Sequence, residues 1–262
     1  GSIIVLQIPA AGLGWYSQSF NLVTDLPAGD DSRAGFETVE DHYPGGVISP
    51  VYLAITADGP ILDNERLAAI DRLTDALRSQ PGLGQVRSIT QPAGEPLTSD
   101  NLAELTGGIT DPAALGFDQT TDLGPLMEGL NSPGGLRITG EIIDQYPGLV
   151  DLLGLLLGND GNTTRLIIAL EGNPYDNTAL DAFERIDEAT ADALAGTALT
   201  GAEIHVGGPS SFYADMREIS NADFRIIVAV ILGAIFVVLA LLLRSLVAPF
   251  YLLATVVLSY TA

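Results

Sequence analysis

The chain has no cysteine and no lysine, and its 262 residues hold only two histidines, two methionines and one tryptophan. Without cysteine there is no disulfide framework, no thiolate nucleophile and no cysteine-ligated zinc. Without lysine the basic side chains are all arginine: 11 of them face 33 acidic groups, for a formal charge of -22. A nucleic-acid partner needs a basic face, and this balance excludes one. It equally excludes electrostatic docking of the acidic part onto anionic membrane surfaces. The acid lies between Asp25 and Asp223, so that part of the chain is strongly anionic and well solvated. A salt-rich habitat and a genome rich in G and C both produce such a composition.

Signatures of catalysis are missing too. His42 and His205 are far apart, and although Ser210 and Ser211 follow His205 closely, Gly207-Gly208-Pro209-Ser210-Ser211 is not a G-x-S-x-G nucleophile elbow. The carboxylates are scattered, residues 118–122 lack the spacing of a calcium loop, and no glycine-rich phosphate loop follows a strand. The expectation is a protein that is not an enzyme and carries no cofactor or metal.

What the sequence does have is a long apolar run. Residues 224–243 read FRIIVAVILGAIFVVLALLL, with Arg225 the one charge, at the start. At ~1.5 Å per residue a twenty-residue helix covers ~30 Å, the thickness of a bilayer's hydrocarbon core. A helix apolar all round lies in lipid or deep in a core, and a core helix of this length is out of scale with so small a chain. After Arg244 and Ser245 a second apolar run, residues 246–262, begins with Pro249 in its first turn, where a missing N–H costs nothing. Residues 224–262 therefore predict a transmembrane hairpin whose second helix is cut short. Arginine in its turn puts Arg244, Ser245 and Pro249 on the cytoplasmic side, Arg225 snorkels at the other end, and the acidic domain lies outside the cytoplasmic membrane. At the other end of the chain, residues 1–15 combine the apolar IIVLQI with Pro9, Gly12, Gly14 and Trp15, which fits the end of a preceding transmembrane helix.

Between them, residues 16–223 form the expected extracytoplasmic domain. A turn-rich entry leads to a short helix over residues 32–43 with Ser32 as N-cap. Residues 49–56 (SPVYLAIT) predict a strand, and Leu67, Ile70, Leu73 and Leu77 mark a helix capped by Asp63 or Asn64. Residues 85–90 (QVRSIT) close this first β-α-β unit. A second follows: a strand at 164–170, a helix at 178–194 with Leu180, Phe183 and Ile186 inward, and a strand at 202–206. Shifting the first helix by 113 positions pairs Asp63 with Asp176, Leu67 with Leu180, Ala69 with Ala182, Arg72 with Arg185 and Leu73 with Ile186. Two such units in series predict an α+β fold, a ferredoxin-like β-α-β-β-α-β sheet with the strand at Val51 beside the strand at Val206. The insert between them, about residues 91–162, carries helix-like pieces at 99–105, 123–130 and 148–157. The last piece, LVDLLGLLLG, is very apolar; it either packs on the sheet or lines an apolar groove. Gly207 and Gly208 end the final strand, and Asp215 is placed to cap a helical stub over residues 216–223. This is the elbow through which domain and membrane are coupled.

The elbow and the turn, GGPSSFYADM (207–216) and LALLLRSLVAPFYLLATVVLS (239–259), resemble the MMPL family of the resistance-nodulation-division (RND) transporter superfamily. The opening PAAGLGW, Leu26-Pro27 with its acidic turn, and Tyr43-Pro44-Gly45-Gly46 fit the same pattern, somewhat more like the second half of such a transporter than the first. The resemblance implies one porter domain with adjoining helices of a multi-pass exporter in the cytoplasmic (inner) membrane, driven by the proton-motive force and carrying lipids or other hydrophobic or amphiphilic molecules. Its partners would be the remaining membrane helices, the second porter domain, membrane lipids and the cargo. The proton-carrying acids of the family are expected beyond Ala262, so no relay residue is assigned. The alternatives are a membrane-anchored sensory or binding domain, and a protein-export or sterol-sensing relative of the same superfamily.

The apolar hairpin predicts that the full chain needs detergent, whereas a chain cut near Asp223 stays soluble. Size-exclusion chromatography of both, with and without detergent, checks this; a monodisperse full chain in plain buffer would overturn the transmembrane assignment.

Overall fold

The computed structural model describes residues 26–27, 29–43, 46, 49–108, 117, 121–173 and 177–261. The expected helix end at residues 1–15 lies outside them, as do Pro44, Gly45 and Asp176. The chain divides into two compact units, residues 21–214 and residues 1–20 with 215–262.

The first unit opens with α1 (Asp31–His42), capped by Asp30, whose carboxylate accepts from the Ser32 N–H. The cap is thus two residues earlier than the Ser32 expected, because Asp30 alone has extended backbone there. Then follow β1 (Val51–Thr56), α2 (Asn64–Arg78) and β2 (Leu83–Arg87). β1 alternates by the strand rule: Val51, Leu53 and Ile55 are buried, while Tyr52, Ala54 and Thr56 face the other way. Asp63 caps α2, and its inward stripe Leu67, Ile70, Leu73 and Leu77 is fully buried, each side chain worth about 1.5–3 kcal/mol. β2 ends at Arg87, three residues before the expected end, because Ser88 and Gln91 bond each other's backbone across a turn and take the chain out of the sheet.

The second β-α-β unit comprises β3 (Thr163–Leu170), α7 (Asn177–Leu194) and β4 (Glu203–Gly207), α3 to α6 lying in the insert. The four strands make one antiparallel sheet in the order β2-β3-β1-β4. Leu53 sits opposite Leu166 on one side and Val206 on the other, so the first strand lies beside the last as the repeat requires. Helices α2 and α7 pack together, with the small residues Ala69 and Ala182 of the repeat both buried.

The insert contains α3 (Ser99–Leu105), α4 (Gly124–Leu130), α5 (Gly140–Gln145) and α6 (Leu149–Leu152). Thr98 and Asn101 form a reciprocal capping box on α3, and Leu97 and Leu136 exchange two 2.7 Å backbone bonds. Two expectations fail here. The run at 148–157 is not one helix: α6 is a single turn, and Leu157 then bridges to Thr164 at the start of β3. Gly154 and Gly158 break the helical run, and the Leu156 carbonyl accepts from both the Arg165 N–H and the Thr164 hydroxyl. The segment at α5 was not expected to be helical; Thr139 caps it, accepting from the Ile142 N–H. Its Gly140 is needed because a Cβ there would lie 2.5 Å from the Asn64 side-chain oxygen at the start of α2.

A polar clamp holds this insert against α2. Arg137 donates to Asp71 at 2.5 Å and to Asp75 at 2.8 Å, and Gln91 donates to the same two carboxylates at 2.8 and 3.2 Å. Arg78 completes it, donating to the Gln91 carbonyl and to Asp75 at 3.4 Å. Partial burial pushes the Asp75 carboxyl up, but hydrogen bonds from Arg137 and Gln91 and the charges of Arg137 and Arg78 outweigh it and hold it below the usual carboxylate range. Arg137 is stabilised in its charged form by hydrogen bonds to Asp75 and Asp71.

At the end of the sheet, Gly208 has φ +114, and a Cβ on it would lie 2.6 Å from the Pro50 carbonyl oxygen. Helix α8 (Pro209–Leu243) starts at the next residue with proline at its first position, where its missing N–H is harmless. Ser210 is fully buried, its hydroxyl donating to the Ser49 carbonyl at 2.7 Å. The second unit holds residues 215–243 of α8 and α9 (Val247–Thr261). Among the described residues α8 is long and apolar enough to cross a membrane, and side chains such as Ile226, Ile227, Val230, Leu241 and Leu242 are exposed around its circumference.

Two predictions follow from these contacts. Gly208→Ala should lower stability by about 1–3 kcal/mol because the left-handed backbone must strain or shift. Gly207→Ala, with open space around its Cβ, should change it by less than about 0.5 kcal/mol; urea unfolding of the detergent-solubilised chain compares them. For the clamp, Asp75's lowered pKa means its stabilisation is present above its unfolded value and disappears as pH falls through the folded one. Arg137→Gln should therefore be less stable than the parent by about 1 kcal/mol at pH 6, a screened value for half-exposed groups, with the gap closing below about pH 4. A gap that persists at the acid end would assign the loss to packing.

Candidate functional site

Among the described residues, the side chains the sequence offered for catalysis are not brought together. His205 is exposed and its Nε2 lies 2.9 Å from the Glu203 carboxylate, one residue over on the same strand face. Ser210 is spent on Ser49, and Ser211 donates to the Gly208 carbonyl at 2.7 Å. Neither serine is hydrogen-bonded to His205, so the serine–histidine pair weighed from the sequence does not assemble. His42 donates from Nδ1 to the Thr38 carbonyl at 2.8 Å within its own helix. No group of three or more potential metal ligands occurs among the described residues.

The elbow residues fall as follows. Gly207 ends β4, and Gly208 is the left-handed link into α8. Asp215 does not cap a stub over residues 216–223: α8 is already helical from Pro209, so Asp215 is its seventh residue and lies exposed on its side. Pro209 at the first position of α8 sets the helix start six residues ahead of Asp215. In the second unit, Arg244 has φ +47 and so ends α8 in the left-handed conformation that glycine more often supplies. Arg244, Ser245 and Leu246 alone join the two helices, and Pro249 is the third residue of α9, within the first turn as expected.

The site the structure does build lies in the insert. Pro92, Leu97, Leu102, Leu105, Ile138, Leu149, Leu152, Leu153 and Leu155 surround a cavity of about 110 Å³. One polar side chain, Thr106, joins them, and its hydroxyl is occupied by the Leu102 carbonyl at 2.9 Å. A cavity with no polar group left to satisfy stays dry and accepts apolar matter, as cavities of ~150 Å³ accept benzene. Its mouth is apolar as well: Leu105, Leu152 and Leu155 are 41, 37 and 73 % exposed. The apolar run expected either to pack or to line a groove does both. Leu153 and Leu156 are in the core, while Leu149, Leu152, Leu153 and Leu155 line the cavity.

Next to it lies a second, wider depression of about 360 Å³, bounded by Ala54, Leu155, Leu157, Asn159, Thr163 and Arg165 among others. It sits at the end of the sheet face turned away from α2 and α7. Arg165 arches over the Tyr52 ring at 5.5 Å, and its Nε donates to the Leu155 carbonyl. The turn below is held by Asp160, whose carboxylate accepts from the Thr163 hydroxyl and from the Asn162 and Thr163 N–H groups. The bond from the Thr163 hydroxyl leads the causes that hold its carboxyl below the usual range. Arg165 and the cavity wall from Pro92 to Ile138 were not singled out in the sequence. Only the leucine run gave a signal, because the wall is assembled from residues spread over sixty positions.

The MMPL family profile matches residues 24–262. The sulfolipid-1 exporter MmpL8 of Mycobacterium tuberculosis is 28% identical over 228 residues, covering 84% of this chain and 20% of that protein. The probable transport protein MmpL6 of the same species is 28% identical over 211 residues, 79% of this chain and 53% of MmpL6. The putative membrane protein YdgH of Bacillus subtilis is 36% identical over 101 residues, 38% of this chain and 11% of YdgH. The chain thus spans about a fifth of MmpL8 and about half of MmpL6. From the acidic entry turn through the sheet to both apolar helices, the match is continuous, and the chain belongs to the MMPL family of membrane transport proteins.

Proposed function

We propose that the chain is the outer domain and adjoining membrane segment of an exporter of lipids or other hydrophobic molecules, driven by the proton-motive force. On this reading residues 16–223 are a ferredoxin-like porter domain on the extracytoplasmic side of the inner membrane, with residues 91–162 as its insert. The strand order β2-β3-β1-β4 and the two β-α-β units support that description. Residues 1–15 and 224–262 supply membrane helices, and the remaining helices and a second porter domain complete the transporter.

The observation that carries the reading is the cavity of the insert, lined by aliphatic side chains and by Thr106, whose hydroxyl already donates to the Leu102 carbonyl. The relative named as a sulfolipid-1 exporter supports lipid-like cargo. Cargo would enter past Leu105, Leu152 and Leu155. Gly207, Gly208 and Asp215 would form the elbow that passes movement of the domain to α8, with Arg244, Ser245 and Pro249 at the cytoplasmic turn. On this reading its work is binding, release and alternating exposure of the cargo.

The test uses the whole transporter in cells labelled with a radioactive lipid precursor. Export should stop when a protonophore collapses the proton gradient. Plugging the mouth with Leu105→Trp or Leu152→Trp should cut export about tenfold, as expected for ~1.4 kcal/mol lost in binding. Export that survives both treatments would remove the chain from the export path and leave a membrane-anchored binding or sensory domain.

A further inference from the structure

Leu155 belongs to both depressions. It closes the mouth of the aliphatic cavity and forms the floor of the wider cleft beside Arg165. Its side chain is the most exposed of the leucines there, and its backbone carbonyl is the acceptor that orients the Arg165 guanidinium. The two spaces are therefore neighbours across one side chain: a dry, aliphatic one that admits a segment of hydrocarbon, and a polar, open one that ends at a cation.

The acidic groups outnumber the arginines three to one, and Arg33, Arg66, Arg78 and Arg137 have carboxylate partners. Arg165 has none among the described residues: its Nε is used by Leu155, its face by Tyr52, and both terminal amino groups remain to donate. The sheet register strengthens the local charge. Arg87 lies opposite Ile167, two residues along β3 from Arg165 on the same face. Ala54, small and opposite Arg165, leaves room above the sheet, and His205 stands beyond it in the same row. The acids nearby are already engaged. Asp160 has its oxygens turned to Asn162 and Thr163, and Glu203 is paired with His205. A guanidinium held in place but left without an anion recognises a carboxylate, sulfate or phosphate by paired N–H donors.

We infer that the insert and the open sheet face form one bipartite site for an anionic amphiphile, with a hydrocarbon segment under Leu105, Leu152 and Leu155 and the anionic headgroup on Arg165. This rests on the proposed lipid-exporting function and adds the sign of the cargo's charge and the residue that reads it. Leu155 is the hinge between the two halves of the ligand.

The experiment uses the full chain in nanodiscs of zwitterionic lipid, with two photoactivatable probes of identical twelve-carbon chain, each carrying a terminal diazirine. One is a sulfonate, permanently anionic; the other is the alcohol. Labelled residues are mapped by mass spectrometry. The sulfonate should label residues 97–106 and 149–157 about tenfold more than the alcohol, the discrimination of a single charge-assisted contact. Arg165→Gln should bring the two probes level while leaving labelling by the alcohol unchanged, and Arg165→Lys should keep most of the preference. Leu155→Asp should reduce labelling by both. Equal labelling by the two probes in the parent chain overturns the anionic selectivity yet leaves the apolar cargo site standing. An Arg165→Lys loss as complete as that of Arg165→Gln overturns the headgroup role in favour of Tyr52 packing. Absence of any label in the insert overturns the cavity as a cargo site, and the proposed function with it. Unfolding midpoints of the variants, compared with the parent, identify any that fail to fold, and for those the rim variant Leu152→Asp, expected to reduce labelling by both probes, supplies the comparison.

Discussion

Everything in the unit formed by residues 21–214 hangs on β1 being paired along both edges. Leu53 meets Leu166 on β3 and Val206 on β4, which lie 113 and 153 positions further along the chain. Those pairings bring the two β-α-β units into one sheet and give α2 and α7 a shared apolar surface to cover. They also fix the open face, because a one-residue slip would exchange Tyr52 and Ala54 for Leu53 and Ile55 and place buried leucines in water. Arg165, Arg87 and His205 stand where they do because the register of three strand pairs sets them there.

The insert depends on that frame. It leaves the sheet where Ser88 and Gln91 turn it away, and returns where Leu157 bridges to Thr164. Between these points the described residues form a single bridge, Leu97 with Leu136, so side chains do most of the holding. The Asp71, Asp75, Gln91 and Arg137 clamp fixes it to α2, and Tyr146 fixes its interior, its ring edge-on to Phe117 and its hydroxyl on the Asp122 carbonyl. An insert held by polar links at its rim and aliphatic packing inside can enclose a small apolar cavity without filling it. A fully helical 148–157 segment would have lacked the turn that brings Leu155 over to Arg165.

The chain belongs to the MMPL family, and among the described residues α8 is long and apolar enough to cross a membrane. The chain has no assembled catalytic group among the described residues: Ser210 joins α8 to Ser49, two residues before β1, and Glu203 lies against His205. Among the described residues the insert encloses an aliphatic cavity, and the Arg165 guanidinium lies over Tyr52 beside it.

Much of this was legible in the sequence because it rests on local periodicity. The apolar run at 224–243, the helical stripe of Leu67, Ile70, Leu73 and Leu77, the Asp63 cap and the β-α-β repeat all follow from spacing within a few residues, and the repeat made the β1–β4 neighbourhood predictable. Tertiary structure decided the rest, for definite reasons. Whether LVDLLGLLLG continues as a helix depended on the Leu156 carbonyl finding Thr164 and Arg165 on β3, partners that no local window contains. Whether Pro209 merely ended a strand or also began a helix depended on Ser210 finding Ser49, which moved Asp215 from a cap to the side of α8. The cavity drew its wall from Pro92 to Leu155, and only folding revealed that Arg165 stands at its edge without a carboxylate. Sequence determines which segments must be buried or helical, because that is a matter of spacing and polarity. Which distant groups share a pocket is set by strand register and by the contacts that fix an irregular insert.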